Sequence, residues 1–281
     1  MPASLLLFWS DLRPLLKWAG GKRSLIQRIV DLFPDDYRDR RYHEPFFGGG
    51  AVFFHIEPGS GSINDINPRL MDFYRVVRDR PEELIEEASK YRYDEEEYYM
   101  RRDTFNSEGL SEVEYAALLL YMNKTAYNGL YRVNSKGEFN VPFGRYVDPT
   151  IVKPRGIARA SRLLRNVEIR SEGFDYILDV AEEDDLCYLD PPYHPASETA
   201  NFTDYSAKGF KVGDQERLRD LCLELDRRGV IFVLSNSYTE KVMELYGGHG
   251  FRIESLRTRR SISSKVSSRD SGYDLLITNN A

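Results

Sequence analysis

Four consecutive residues, Asp190-Pro191-Pro192-Tyr193, follow the apolar run Leu-Cys-Tyr-Leu. That run predicts a buried strand over 186–190, and the carboxyl end of a strand in an α/β sheet is where ligands bind. Two successive prolines fix the backbone and remove two N–H donors. The Pro191 carbonyl can then be presented beside the Asp190 carboxylate as a pair of acceptors, and Tyr193 adds a flat face. Two acceptors and a plate suit an exocyclic amine on a heterocycle. The tetrapeptide alone would equally serve as a strand-ending turn with a structural tyrosine.

A second cluster, Glu44-Pro45-Phe46-Phe47-Gly48-Gly49-Gly50, sits between a short strand and a helical pattern. Glycines there let the backbone approach a ligand closely, and a helix start adds a positive end. Asn64-Asp65-Ile66-Asn67, with Asp65 fifteen residues after Gly50, closes the next strand. An acid at that place is suited to a ribose diol, as in NAD or S-adenosylmethionine (AdoMet). Three adjacent glycines depart from the dinucleotide pattern G-x-G-x-x-G, which favours a nucleoside without phosphates. A tight strand-to-helix crossing needs the same glycines. A third cluster, Lys17-Trp18-Ala19-Gly20-Gly21-Lys22, precedes the first helix. Trp18 could stack on a ligand and Lys22 neutralise a carboxylate; an N-terminal turn around a buried Trp would look alike.

Short apolar strands at Tyr42–Pro45, Ser62–Asp65, Val167–Arg170, Leu186–Asp190 and Val230–Ser235 must carry these clusters. Helical patterns alternate with them. Residues 23–33 place apolar groups on one face, and Asp214–Arg228 reads as a helix with Asp214 as N-cap and Gly229 as stop. The alternation predicts an α/β fold with a mainly parallel sheet. Phe251–Leu256 and Tyr273–Thr278 are predicted to form an antiparallel hairpin on one edge. Residues 69–155 break the rhythm with helices at 81–92, 94–105 and 111–122, then a Gly/Asn/Pro-rich stretch. This segment is read as an inserted domain.

The 281 residues carry a net charge of −6, which excludes a uniformly basic coat. Charge is uneven, however: residues 124–170 hold ten basic side chains against three acidic, interleaved with Tyr127, Tyr131, Phe139, Phe143 and Tyr146. Basic groups among aromatics and turn formers can hold phosphates and reach bases. Residues 79–114, with thirteen acidic against five basic, are expected to face away from a polyanion. Two cysteines exclude a disulfide framework, and four scattered histidines give no zinc spacing. No stretch reaches the ~18 apolar residues of a membrane span, and the opening Leu5–Trp9 run is too short for a secretory core. A soluble, cytoplasmic protein without metal is expected.

The succession KWAGGK, EPFFGGGAVF, an inserted segment and then DPPY closely resembles the Dam-type DNA adenine-N6 methyltransferases, the alpha-ordered amino-methyltransferases of the D12 class. NKTAYNGLYRVNSKGEFNVPFGRY (123–146), ANFTDY (200–205), LSNSY (234–238) and RRSISS (259–264) are also similar, and the resemblance spans about residues 14–279. It implies a Rossmann-like AdoMet-dependent catalytic domain (1–68 and 156–281) and an inserted, mainly helical target-recognition domain (69–155) carrying a β-hairpin. Carried over by position, Trp18, Lys22, Phe46, Gly48, Gly49, Asp65, Gly173, Phe174 and Asp190 would bind AdoMet. Asp190, Pro191, Pro192 and Tyr193 would hold the adenine. Lys17, Leu130, Arg132 and Pro142 would read bases, Tyr127 and Asn128 would fill or border the gap in the duplex, and Arg145 and Tyr146 would contact phosphates and flanks.

The resemblance further implies double-stranded DNA as partner, the site GATC, and a monomer acting on a flipped adenine in a bacterial or phage setting. Tyr131 and Val133 replace residues usual beside the reading arginine, and 265–272 (KVSSRDSG) also differs. Two alternatives stay open. One is an AdoMet enzyme acting on RNA or protein glutamine, for which Asn-Pro-Pro-Tyr is usual. The other is a DNA-binding relative without catalysis.

Overall fold

The computed structural model describes residues 12–18, 20, 22, 24–193, 210–259 and 271–280. The opening apolar run, the ANFTDY segment and nearly all of 259–272 that the sequence singled out lie outside the described residues. The chain divides into two compact units. A sheet unit comprises Gln27–Phe47, Gly59–Met71 and the described part of Asn166–Ala281; a helical unit comprises Gly48–Pro58, Asp72–Arg165 and the described part of Met1–Ile26.

The sheet unit holds seven strands: β1 (Tyr42–Glu44), β2 (Gly61–Asn64), β3 (Val167–Arg170), β4 (Leu186–Leu189), β5 (Ile231–Ser237), β6 (Arg252–Arg259) and β7 (Ser271–Thr278). Their order is β3-β2-β1-β4-β5-β7-β6. The first five run parallel, and β7 is antiparallel to both β5 and β6. The two final strands pair as the sequence predicts, but β7 lies inside and β6 alone forms the edge. All four residues of β4 are buried, as are all of β1 and β2. Burial on both faces is why β4 reads as a short apolar run without alternation, whereas β1 and β2 bury the polar residues His43, Glu44, Ser62 and Asn64. Gly61 opens β2 at φ +137°, and a Cβ there would collide with the Tyr42 carbonyl oxygen. Only glycine lets β2 lie this close to β1.

Ten α-helices occur among the described residues: α1 (Ile26–Val30), α2 (Phe53–Ile56), α3 (Pro68–Asp79), α4 (Pro81–Ser89), α5 (Glu95–Phe105), α6 (Glu112–Thr125), α7 (Pro154–Leu164), α8 (Ile177–Val180), α9 (Val212–Arg227) and α10 (Glu240–Tyr246). The ends of α5 and α6 follow from their caps. The Asp94 side chain accepts from the Glu97 N–H, and Ser111 with Glu114 forms a capping box. Helix α9 starts earlier than its sequence predicts. Asp214 is its third residue rather than its cap, and its carboxylate accepts from the Lys211 N–H at 2.9 Å. Gly229, at φ +74°, does end it. One face of α9 buries Leu218, Leu221, Cys222 and Leu225 among Cys187, Leu189, Phe232 and Leu234. Cys187 and Cys222 are both buried free thiols, and burial raises both thiol pKa values.

In the helical unit, α6 is buried almost all round, from Ala116 to Asn123. The rings of Tyr91 and Tyr98 each pack on that of its Tyr121. Between Ala126 and Phe143 the chain makes two isolated antiparallel bridges, Ala126 with Phe143 and Val133 with Phe139, and no named strand. No helix among the described residues is long and apolar enough to cross a membrane.

At the amino ends of β1, β2 and β4 a polar chain runs through the sheet unit. His43 Nε2 meets Asp185 Oδ2 at 3.0 Å, His43 Nδ1 meets Ser62 Oγ at 2.8 Å, and Ser62 Oγ meets Tyr176 Oη at 2.9 Å. Burial alone would raise the Asp185 carboxyl. The His43 hydrogen bond, the Glu182 backbone N–H and the nearby charges outweigh it, so the net shift is downward. A depressed carboxylate pKa stabilises the fold above the unfolded value of about 4, and that contribution fades as pH falls through the lower folded value. Asp185→Asn is therefore expected to lose about 1.5–3 kcal/mol at pH 7. Urea unfolding should show the gap to the parent protein closing below pH 4.

Candidate catalytic site and nucleic-acid surface

Strand β4 ends at Leu189, so Asp190-Pro191-Pro192-Tyr193 occupies the carboxyl end of the central parallel strands. Asp190 is half-buried, and its Oδ1 accepts a hydrogen bond from Ser235 Oγ at 2.8 Å. Ser235 lies on β5 and is buried, as is Tyr188 on β4, whose hydroxyl meets Ser235 Oγ at 3.1 Å. The Pro192 carbonyl accepts from Gln215 Nε2 at 3.3 Å, and Gln215 Oε1 accepts from Asn236 Nδ2 at 3.0 Å. Among the described residues the Pro191 carbonyl accepts no hydrogen bond. The Tyr193 hydroxyl donates to Asp274 Oδ2 at 3.3 Å, and burial, reinforced by the charges of Asp190 and Asp274, pushes its pKa far up. Tyr193 thus stays a neutral plate with its hydroxyl fixed at one edge.

The other positions in the sheet unit cluster at the same ends of β1, β2 and β3. Phe46 and Phe174 lie 5.4 Å apart, and Phe210 approaches each ring at 5.9 Å. The Arg217 guanidinium sits 5.0 Å above Phe174 and forms an ion pair with Asp175. Gly173 precedes the single helical turn Phe174–Tyr176 and is exposed. Asp65 is half-buried, with Oδ1 accepting from the Asn67 N–H at 2.9 Å. Asn64 ties the strand ends together: its amide donates to the Pro45 carbonyl at 3.0 Å and accepts from the Glu172 N–H at 2.8 Å.

Within the helical unit, Trp18 lies against the glycines. A Cβ on Gly48 would stand 2.9 Å from Trp18 Cδ1, and one on Gly49 3.2 Å from Trp18 Cβ. The Trp18 ring is stacked on Tyr131, centroids 5.2 Å apart, so one of its faces is already used by the protein. Lys22 is buried, with Nζ donating to the Gly20 carbonyl at 2.8 Å. No group of three or more His, Cys, Asp or Glu among the described residues could hold a metal ion.

The basic stretch is organised around buried Asn123. Its side chain accepts from the Lys17 N–H and donates to the Lys17 carbonyl, both at 2.7 Å, and also donates to the Gly129 carbonyl at 3.2 Å. Asn128 and Gly129 follow one another at φ +55° and +64°. Gly129 suits this left-handed turn, where a Cβ would press on the Lys17 side chain and stand 3.0 Å from the Asn123 carbonyl. That turn leaves Tyr127 and Asn128 exposed and Leu130 half-buried. The Lys17 ammonium stands 4.7 Å from the Tyr146 ring, whose hydroxyl donates to the Ala126 carbonyl at 2.9 Å. Pro142 and Arg145 are exposed, and the Pro142 carbonyl accepts from the Tyr127 N–H at 2.9 Å. Arg132 is exposed and held by Asn140: Nε donates to Asn140 Oδ1 at 2.8 Å and Nη2 to the Asn140 carbonyl at 3.3 Å.

The sequence reading missed Tyr188, Ser235, Gln215, Asn236 and Asp274 around Asp190, and Asn123 and Asn140 around the basic loop. One signal was available. Ser-Asn-Ser at 235–237 ends an otherwise apolar strand, and all three are buried, a place where polar residues need partners.

Comparison with known proteins identifies the family. The family model of the D12 class N6 adenine-specific DNA methyltransferases matches residues 18–262. The chain is 43% identical over 276 residues to the Type II methyltransferase M1.LlaDCHI of Lactococcus lactis subsp. cremoris, covering 96% of each. It is 40% identical to the Type II methyltransferase M.MjaIII of Methanocaldococcus jannaschii, over 96% of this chain and 99% of the relative. It is 34% identical to the DNA adenine methylase of Escherichia coli (strain K12), over 94% of each. The seven-stranded mixed sheet is consistent with a methyltransferase fold. With the match running through most of both chains, this protein belongs to the D12 class of N6 adenine-specific DNA methyltransferases.

Proposed function

We propose that the protein transfers a methyl group from AdoMet to N6 of an adenine turned out of duplex DNA, within the site GATC. The observation that carries this reading is Asp190-Pro191-Pro192-Tyr193 standing intact at the end of β4 in a D12-class chain. When bound, AdoMet supplies an electrophilic methyl carbon. Asp65, Gly173, Phe46 and Phe174 are assigned to its nucleoside. On the resemblance, Trp18, Lys22, Gly48 and Gly49 are assigned to the cofactor as well.

An adenine amine is a poor nucleophile, because its lone pair is delocalised into the ring. Asp190 and the Pro191 carbonyl accept its two hydrogens and draw the nitrogen toward a tetrahedral shape. Tyr193 stacks on the ring. Asp190 need not be a strong base, since the amine becomes acidic only as the new N–C bond forms. Turning the base out costs a few kcal/mol. Tyr127 and Asn128 offset part of that cost by occupying the vacated space. Arg132, Lys17, Leu130 and Pro142 read neighbouring bases; Arg145 and Tyr146 hold the flanks. Residues 69–155 are the target-recognition element, and a monomer suffices.

The test is incubation with methyl-tritiated AdoMet and plasmid DNA, followed by digestion with nucleases sensitive to adenine methylation in GATC. Protection at those sites and tritium in N6-methyladenine support the reading. Tritium in RNA or protein instead of DNA would overturn it, and tritium in DNA with GATC left cleavable would overturn the site. Affinity for DNA should also fall steeply with salt, by a log–log slope of about −0.9 for each phosphate neutralised. A flat response would remove the basic stretch as the docking surface.

A further inference from the structure

We propose that Ser235 is a positioning residue for methyl transfer: its hydroxyl, oriented by Tyr188, holds the Asp190 carboxylate in the plane that receives the amine. The inference rests on the reading of Asp190 given above. It is carried by the hydrogen-bond chain from Tyr188 Oη to Ser235 Oγ at 3.1 Å and from Ser235 Oγ to Asp190 Oδ1 at 2.8 Å.

The direction of that chain is fixed by chemistry. An ionised carboxylate can only accept, so Ser235 donates to Asp190. Its single proton is then spent, and the Ser235 oxygen accepts from the Tyr188 hydroxyl. Tyr188 can always do so, because burial, together with the charge of Asp190, pushes its pKa far above the usual phenol range. Both hydroxyls are screened from water: Tyr188 is 1% exposed and Ser235 0%. Water does not reach either hydroxyl, and neither can swing out without leaving a buried polar atom unpaired.

Asp190 needs such a hold. The torsion that turns a carboxylate is broad, so backbone position alone does not set the plane of its oxygens. The amine presents two hydrogens in fixed directions, and the Pro191 carbonyl is the rigid half of the acceptor pair. The carboxylate is the half that can rotate. Ser235, donating from the neighbouring strand β5, locks it through the β4–β5 ladder, in which Leu189 lies opposite Leu234. Gln215 does the complementary task of engaging the Pro192 carbonyl.

The experiment compares the full chain with Ser235→Ala, Ser235→Thr, Tyr188→Phe, the Ser235→Ala/Tyr188→Phe pair and Asp190→Asn. Readouts are single-turnover methylation of a GATC duplex, AdoMet and DNA dissociation constants, and thermal melting. Ser235→Ala should slow the chemical step by on the order of 10–100-fold with both dissociation constants unchanged. Ser235→Thr, which keeps the hydroxyl, should restore most of the rate. Tyr188→Phe should cost less than Ser235→Ala, on the order of 3–10-fold, and nothing more when Ser235 is already Ala, because it acts through that hydroxyl.

If Ser235→Ala melts out, Tyr188→Phe, which keeps ring and fold, carries the test through its rate loss at unchanged affinity. Full rate in Ser235→Ala beside an inactive Asp190→Asn overturns the inference and leaves the Asp190 assignment standing. Additive losses in the pair, or a loss that Ser235→Thr fails to rescue, also overturn it. Full rate in Asp190→Asn would instead sink the reading of Asp190 itself.

Discussion

Asp190→Ala is expected still to bind AdoMet and DNA, with affinities lowered far less than methyl transfer, which should fall by about 1,000-fold or more, equivalent to about 4 kcal/mol of barrier. Orientation of reactants can supply about 7–11 kcal/mol in favourable cases, and one of two amine acceptors carries a large part of it. The side chain is half-buried at a strand end, so its removal opens no sizeable core cavity and the fold should persist. Isothermal titration with AdoMet and rapid-quench methylation of a short duplex separate the two effects. Retention of near-normal turnover would refute the role assigned to the carboxylate.

The next largest effect is expected at Arg132. A guanidinium has five N–H donors in a fixed fork. Asn140 takes Nε–H and one hydrogen of Nη2, the side edge of that fork. Neither of these bonds uses the end edge, Nη1 with the other Nη2 hydrogen, and on the proposed function that edge would read guanine O6 and N7 together. Arg132→Ala should therefore cost about 1–3 kcal/mol of discrimination at one base pair, while other positions keep theirs. Asn140→Ala should relax the same position by a smaller amount, because the cation remains but its aim is lost. Competition binding with duplexes changed one base pair at a time reads both. Uniform weakening across all duplexes would make Arg132 a phosphate contact.

What the sequence revealed follows from how local each signal was. Proline pairs, glycine clusters and acids at strand ends declare themselves within a few residues, so Asp190, Gly48 and Asp65 could be picked out directly. Caps are as local, and the helices predicted over 94–105 and 111–122 begin at the residues that cap α5 and α6, Asp94 and Ser111. Asp214 misled because an acid three residues into a helix and an acid just before it are the same residue type in nearly the same place. Interactions across the chain were silent. Ser235 reaches Asp190 over 45 residues, and Asn123 clamps Lys17 over 106. Nothing in the composition of either segment names its distant partner. Nor could periodicity reveal that Asn140 holds Arg132, since both read simply as polar loop residues.

Strand β4 is only four residues long, yet an acid flanks it at each end: Asp185 binds His43 at its start and Asp190 binds Ser235 at its finish. Sliding such a strand by a single step turns every side chain to the opposite face. The error would strand both carboxylates at once, one beneath the sheet and one above it. Misaligned chains are thus penalised twice, and a molecule that has found its ground-state register has seated Asp190 on Ser235 in the same event.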